Sequence, residues 1–326
     1  MRPLAVTMLA EAGRGVGLGH LRRCQALGRA LTTAGAQVEV AVAGTGWEAA
    51  SAVALDWLGD AAALRAALAA HRPDAVVVDS YGADEAFLRR LRALVPTVVA
   101  LDDLADRVLP VSIVVNGAWY AARLSYRVDP DTVCLLGPEY ALLDLAFAEP
   151  VTRPPAAEVR RVLVSFGGDA DTIPALVAAV ADVRRVVPGA AIDVAMAAPA
   201  PPGLDGLPGI TVHRGVPSLR GLIASADLVV SGGGMTLYEC LASGVPVVAT
   251  VLADNQRPNV AEMGRAGLIV PAEPSLATAV ARVAGDAALR RGLAAQGRQA
   301  VDGRGATRVA LEIARACRAA LPEGVR

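Results

Sequence analysis

The chain contains no lysine; all 31 basic residues are arginine. That excludes a lysine Schiff base, attachment of pyridoxal phosphate through lysine, and a P-loop, whose phosphate site needs Gly-Lys-Ser/Thr. Aromatic residues make up only 3% of the 326 residues, so the cores must be aliphatic. The four cysteines (Cys24, Cys134, Cys240, Cys317) and three histidines (His20, His71, His213) are scattered and form no CxxC pair. This spacing argues against a zinc site and fits reduced thiols in a cytoplasmic protein. A net charge of −1 offers too little positive excess for a nucleic-acid binder that works through phosphate contacts. No apolar run reaches the ~18 residues of a membrane span; the longest, Cys240 to Ala253, is interrupted by Gly244 and Pro246. The opening stretch MRPLAVTMLAEAG breaks at Glu11 and leads into a glycine-rich turn, so it reads as a first strand, not a targeting segment.

What is present is apolar and ordered. Apolar residues are 54% and charged residues 19%, and a chain of this length normally divides into two domains. Short apolar runs, glycine turns and helical patterns alternate. Strands are predicted at Leu4–Leu9, Gln37–Ala43, Asp74–Asp79, Thr97–Leu101 and Val111–Val115, and helices at His20–Thr33, Ala61–Ala70 and Glu85–Leu94. A proline-rich stretch, Phe147 to Ala156, then reads as a linker, after which the pattern restarts at Arg161–Phe166. The predicted architecture is α/β: two Rossmann-like, doubly wound domains, 1–148 and 149–326, with the last helix free to pack back on the first domain. In such sheets ligands sit at the carboxyl ends of the strands, and two sheets facing each other would enclose a cleft.

Two glycine turns carry the chemistry. Ser231-Gly232-Gly233-Gly234-Met235-Thr236 joins a buried strand to a helix, the arrangement in which backbone amides at a helix N-terminus bind a phosphate. Thr236 could add a hydroxyl donor, and Glu239, one turn on, could hold a ribose diol. The alternative is a tight strand–helix turn with Glu239 solvated. The second turn, Gly13 to Gly19, ends on His20 at a helix start. The positive end of a helix dipole favours a neutral imidazole, which can act as a general base; a helix-capping histidine without chemistry is the other reading. A dinucleotide site is disfavoured, because the acidic residue of the next strand, Glu39, lies mid-strand. Asp102, Asp103, Asp169 and Asp171 are explained by turn and cap duty rather than by a metal.

Together these motifs resemble those of a known family. Gly17-Leu-Gly19-His20-Leu-Arg22-Arg-Cys24 looks like the GxGHxxRC motif of the PseG/SpsG family, UDP-sugar hydrolases of pseudaminic acid synthesis related to MurG-like glycosyltransferases. Val78-Asp79-Ser-Tyr81, Leu101-Asp-Asp103, Leu136 to Leu143, Ser165-Phe-Gly167-Gly168-Asp169, the triple-glycine segment and Asn255-Gln256 resemble its further blocks. Asp144 stands where that family carries arginine. The resemblance implies the GT-B fold, with His20 as the base that activates water. It places Gly17, Gly19, Arg22, Asp79, Tyr81 and Asp103 in the substrate site of the N-terminal domain. Gly167, Gly168, Ser231 to Thr236 and Glu239 would lie around the nucleotide, and Asn255 and Gln256 would face the sugar. It implies no metal and no cofactor besides the nucleoside diphosphate released.

The expected activity is therefore hydrolysis of the anomeric C–O bond of a nucleotide sugar, a UDP-sugar on this resemblance. The alternatives are a glycosyltransferase passing the sugar to a small acceptor, and a non-catalytic nucleotide-sugar-binding protein. Retention of His20 speaks against the last.

Overall fold

The computed structural model describes residues 2–13, 19–45, 52–149, 151–167, 170–196, 204 and 206–320. The chain forms two compact units, Met1–Leu145 with Arg304–Arg326, and Ala146–Gly303.

The first unit runs β1 (Ala5–Glu11), α1 (Gly19–Thr33), β2 (Gln37–Ala43), β3 (Ala52–Ala54), α2 (Ala61–His71), β4 (Ala75–Asp79), α3 (Glu85–Leu94), β5 (Thr97–Leu101), β6 (Val108–Leu109), β7 (Ile113–Asn116), β8 (Arg127–Val128) and β9 (Val133–Leu136). Seven of these strands form one sheet in the order β3-β2-β1-β4-β5-β7-β9, parallel throughout. Both faces are covered, which is why strands such as Ala75-Val-Val-Val-Asp79 are buried at every residue. Alternation sorts the side chains. Met8, Ala10, Val40, Val77 and Val99 pack beneath α1 and the C-terminal helix, Gly305–Ala319. Leu9, Ala41, Val76, Val78 and Val98 face the opposite way, onto Leu64 and Leu68 of α2 and Phe87, Leu88 and Leu91 of α3. Asp60 and Asp84 accept hydrogen bonds from the first amides of α2 and α3 and fix where those helices start.

The second unit runs β10 (Arg161–Ser165), α4 (Ile173–Val186), β11 (Ala191–Met196), β12 (Ile210–Arg214), α5 (Arg220–Ser225), β13 (Leu228–Gly232), α6 (Met235–Ser243), β14 (Val247–Thr250), α7 (Arg257–Arg265), β15 (Val270–Pro271), α8 (Leu276–Gly285) and α9 (Ala287–Ala300). Its parallel sheet has the order β12-β11-β10-β13-β14-β15, the 3-2-1-4-5-6 order of a doubly wound dinucleotide-binding fold. Two charged side chains fasten the proline-rich entry to this unit. The buried Arg290 donates to the carbonyls of Val283 and Ala284 at the end of α8 and of Ala156 and Ala157 in the entry segment. Asp227 accepts from the amides of Arg160 and Arg161 and from Arg153.

Each sheet reverses its winding at one point, between β1 and β4 in the first unit and between β10 and β13 in the second. Such switch points leave a crevice beyond the carboxyl ends of the strands, where ligands of this fold class bind.

Candidate functional site

In the first unit, the switch point gathers His20, Asp79, Tyr81 and Asp103, together with Arg23, which the sequence reading did not single out. His20 lies in the first turn of α1 and is buried. Its Nε2 is 3.8 Å from Asp79 Oδ1, at the end of β4. Its Nδ1 is buried without a hydrogen-bond partner among the described residues. The ring stands edge-on to Tyr81, with centroids 4.6 Å apart.

Arg23, one turn into α1, organises the carboxylates. Its Nε and Nη2 reach the two oxygens of Asp79 at 3.0 and 2.7 Å, a bidentate fork. Its Nη1 reaches both oxygens of Asp103 at 2.7 and 2.6 Å. Tyr81 donates to Asp103 Oδ2 at 3.2 Å. Burial works against ionising Asp103, but the Arg23 charge and hydrogen bonds override it and hold the carboxyl below its ordinary range. Burial likewise opposes the Arg23 charge, and Asp103 and Asp79 together keep the guanidinium firmly protonated. Partial burial, then the Asp103 charge, push the Tyr81 phenol up to about 12. Cys24 sits against Asp79 at 4.0 Å; burial and that carboxylate raise its thiol well above the ordinary value, so it is a packing residue and no thiolate nucleophile.

Helical phase explains why Arg23, not Arg22, joins the cluster. Residues 20, 23 and 24 share one face, whereas Arg22 lies roughly 200° round the helix from His20 and is exposed. Gly19 is the exposed first residue of α1, and a Cβ there would meet nothing. Gly17 lies outside the described residues. Asp102 accepts from the amides of Leu104 and Ala105 in a side-chain turn and faces Arg107. The other histidines have structural partners: His71 pairs with Glu39 at 2.8 Å, and His213 with Asp193 at 2.7 Å. Among the described residues, no group of three His, Cys, Asp or Glu is placed to hold a metal.

In the second unit, the glycine turn divides by role. A Cβ on Gly232 would stand 2.6 Å from Leu252 Cδ1, and one on Gly233 would stand 2.7 Å from Val260 Cγ2 and 2.8 Å from Gln256 Cβ. Gly233 is held to glycine by packing against α7, whereas at Gly232 the nearest obstacle is the tip of the Leu252 side chain. Gly234, the N-cap of α6, has open space where a Cβ would be, and no side chain caps the helix. The first amides of α6, at Met235 and Thr236, lack intrahelical partners, the kind of helix start that can bind an anion. Ser231 is buried in β13. Gly167, just past β10, needs glycine for its backbone, φ +86°; Gly168 lies outside the described residues. Glu239 is half-buried on α6, and Asn255 is exposed.

Gln256, expected to face the sugar, spends its amide oxygen on the backbone: it accepts from Gly233 N at 2.8 Å and Leu252 N at 3.1 Å. Asn259 donates to Gly233 O and accepts from the Tyr238 hydroxyl. Together they clamp the turn that presents Gly234. Gly233→Ala is therefore expected to cost about 1–3 kcal/mol of stability through overpacking, measured by urea unfolding. A change indistinguishable from zero would mean that α7 yields freely.

Residues 163–286, wholly within the second unit, match a family model described as glycosyl transferases group 1. The chain is 26% identical over 256 residues to the spore coat polysaccharide biosynthesis protein SpsG of Bacillus subtilis, covering 72% of this chain and 75% of that one. It is 24% identical over 208 residues to an uncharacterized protein of Methanocaldococcus jannaschii, covering 57% of this chain but 42% of that protein's length. Among solved structures, the glycotransferase of kitacinnamycin superposes with TM-score 0.66 at 21% identity, over 97% of this chain and 100% of the other. MurG of Acinetobacter baumannii gives 0.60 at 16%, over 96% and 100%. SsfS6 of Streptomyces sp. SF2575, solved with thymidine diphosphate, gives 0.60 at 17%, over 96% and 99%. The fold is thus the GT-B fold of glycosyltransferases, with two Rossmann-like domains. No helix among the described residues is long and apolar enough to cross a membrane.

Proposed function

We propose that this chain is an enzyme that transfers a sugar from a nucleotide-sugar donor to a small acceptor. The observation that carries this reading is the uncapped start of α6 at Gly234, at the switch point of β10 and β13 and inside the stretch that matches glycosyl transferases group 1. There the donor's diphosphate would lie on the amides of Gly234, Met235 and Thr236. Those amides would stabilise the charge that grows on the leaving diphosphate as the anomeric C–O bond breaks, without a metal. Glu239 would hold the ribose. In the first unit, His20 would take the proton from the acceptor's hydroxyl or amine, and Asp79 beside its Nε2 would stabilise the resulting imidazolium.

Hydrolysis, with water as acceptor, is the second reading. It is supported by the combination His20, Arg23 and Cys24 in the GxGHxxRC pattern. The family match and the structural relatives favour transfer over it.

The binding half of the proposal is tested by titration calorimetry with UDP and TDP. Glu239→Ala is expected to weaken binding by about 1–3 kcal/mol, the range for a hydrogen bond to a charged group. Unchanged affinity in a folded variant would remove Glu239 from the ribose, and absence of nucleotide binding to the unaltered chain would contradict the donor site itself.

A further inference from the structure

The Asp103 carboxylate has an unused acceptor position. An ionised carboxylate offers about four lone-pair sites. Oδ1 accepts once, from Arg23 Nη1; Oδ2 accepts twice, from Arg23 Nη1 and from the Tyr81 hydroxyl. Among the described residues nothing else donates to it, so one site on Oδ1 remains, and the side chain is 27% exposed. Around it stand Tyr81, 41% exposed, and Leu104, 38% exposed.

Among the described residues the charges of the cluster do not balance. Asp79 and Asp103 carry two negative charges against one on Arg23, and Asp102 is offset by Arg107. With His20 neutral the cluster is left at −1, in a half-buried setting where screening is weak. Beside it lies the buried Nδ1 of His20, which has no hydrogen-bond partner among the described residues.

We propose that Asp103 is a specificity-determining residue: its free oxygen position, flanked by Tyr81 and Leu104, accepts a hydrogen bond from a hydroxyl or ammonium group on the bound sugar or acceptor and turns away ligands carrying a carboxylate there. This deepens the glycosyl-transfer reading and rests on it for the identity of the ligand as a sugar or sugar-like acceptor. Arg23 is central to the selection. By keeping Asp103 ionised it makes the group acceptor-only, so a ligand must supply the donor. The Tyr81 ring adds a face against which a sugar ring or an ammonium group packs.

The probes are free glucosamine, N-acetylglucosamine and glucuronate, titrated into the full chain while the imidazole signals of His20 are followed by NMR. Only three histidines are present, and His20→Asn assigns the signal. Glucosamine, in its protonated form, and N-acetylglucosamine are expected to shift that signal with half-saturation at least about tenfold below that of glucuronate, because a like charge would meet Asp103. Asp103→Asn keeps an acceptor oxygen but removes the charge, and should shrink the discrimination to within about threefold. Tyr81→Phe leaves the charge in place and should preserve the discrimination, so the idea stays testable if Asp103→Asn does not fold. Glucuronate binding as tightly as glucosamine would overturn the proposal, as would discrimination that survives Asp103→Asn or a His20 signal that none of the three sugars moves. UDP affinity measured on the same samples reports the second unit alone, so failure of the donor-site reading is scored separately.

Discussion

Replacing His20 by asparagine is expected to lower kcat by about 10²–10⁴-fold, the contribution of a positioned general base, with nucleotide affinity unchanged. The substitution keeps a polar side chain of comparable size and removes the titrating nitrogen. The expectation rests on placement. His20 is buried in the first turn of α1 at the switch point of its sheet, 3.8 Å from Asp79. Neighbouring groups are poor substitutes as bases. Both oxygens of Asp79 are taken by the Arg23 fork, and Asp103 is held ionised by the same arginine. Nucleotide affinity serves as the internal control, because the proposed nucleotide contacts all belong to the other unit. A folded variant with near-normal kcat would reduce His20 to a helix-end residue and shift the search for a base to Asp103.

Arg23→Met is expected to destabilise the chain by about 3–5 kcal/mol, because removing one partner of a buried ionic network strands the others. Asp79 is 0% exposed and would face Asp103 with no counter-charge. The pH dependence separates this from simple loss of packing. In the unaltered chain the Asp103 carboxyl is held below its ordinary value. Its contribution to stability is therefore complete above the unfolded-state pKa of ~3.9 and is lost as the pH falls through the lower folded value. In Arg23→Met the carboxyl loses the cation that does most to hold it down, the Tyr81 hydrogen bond is left to oppose burial, and its folded pKa should rise above the unfolded one. The variant should then gain stability on acidification from pH 7 to 5, where the unaltered chain gains nothing from Asp103. Urea unfolding at the two pH values checks this. A variant as stable as the parent, or one with a flat profile, would show that the two carboxylates do not depend on Arg23.

Much of the fold was legible because local signals agreed. The strands Gln37–Ala43 and Thr97–Leu101 and the helix Glu85–Leu94 have the bounds that their apolar patterns predict. The strand expected at Val111–Val115 forms at Ile113–Asn116, since the apolar run there is continuous and carries no phase. The short strands Ala52–Ala54 and Val270–Pro271 were not foreseen; two or three residues paired only through the sheet leave no periodicity to read. Arg23 escaped for a different reason. Its importance depends on β4 and β5 being neighbours in the sheet, which brings Asp79 and Asp103 to one guanidinium, and no local pattern encodes that adjacency. The available clues were the i to i+3 spacing from His20 and the arginine of the GxGHxxRC pattern, which falls on Arg23 rather than Arg22. Gln256 and Gly233 also serve the turn itself, through bonds from Gly233 N and Leu252 N and packing against Val260, a role that glycine and amide side chains in a sequence do not reveal.

The most direct test of sugar transfer is the release of nucleoside diphosphate from a panel of UDP- and TDP-sugars, followed in paired reactions with and without hydroxyl- or amine-bearing acceptors. Release that depends on an acceptor, with a glycosylated product appearing in equal amount, is the predicted result. Prompt release without any acceptor would replace transfer by hydrolysis. No release from any nucleotide sugar, with or without acceptor, by a folded chain would contradict the account.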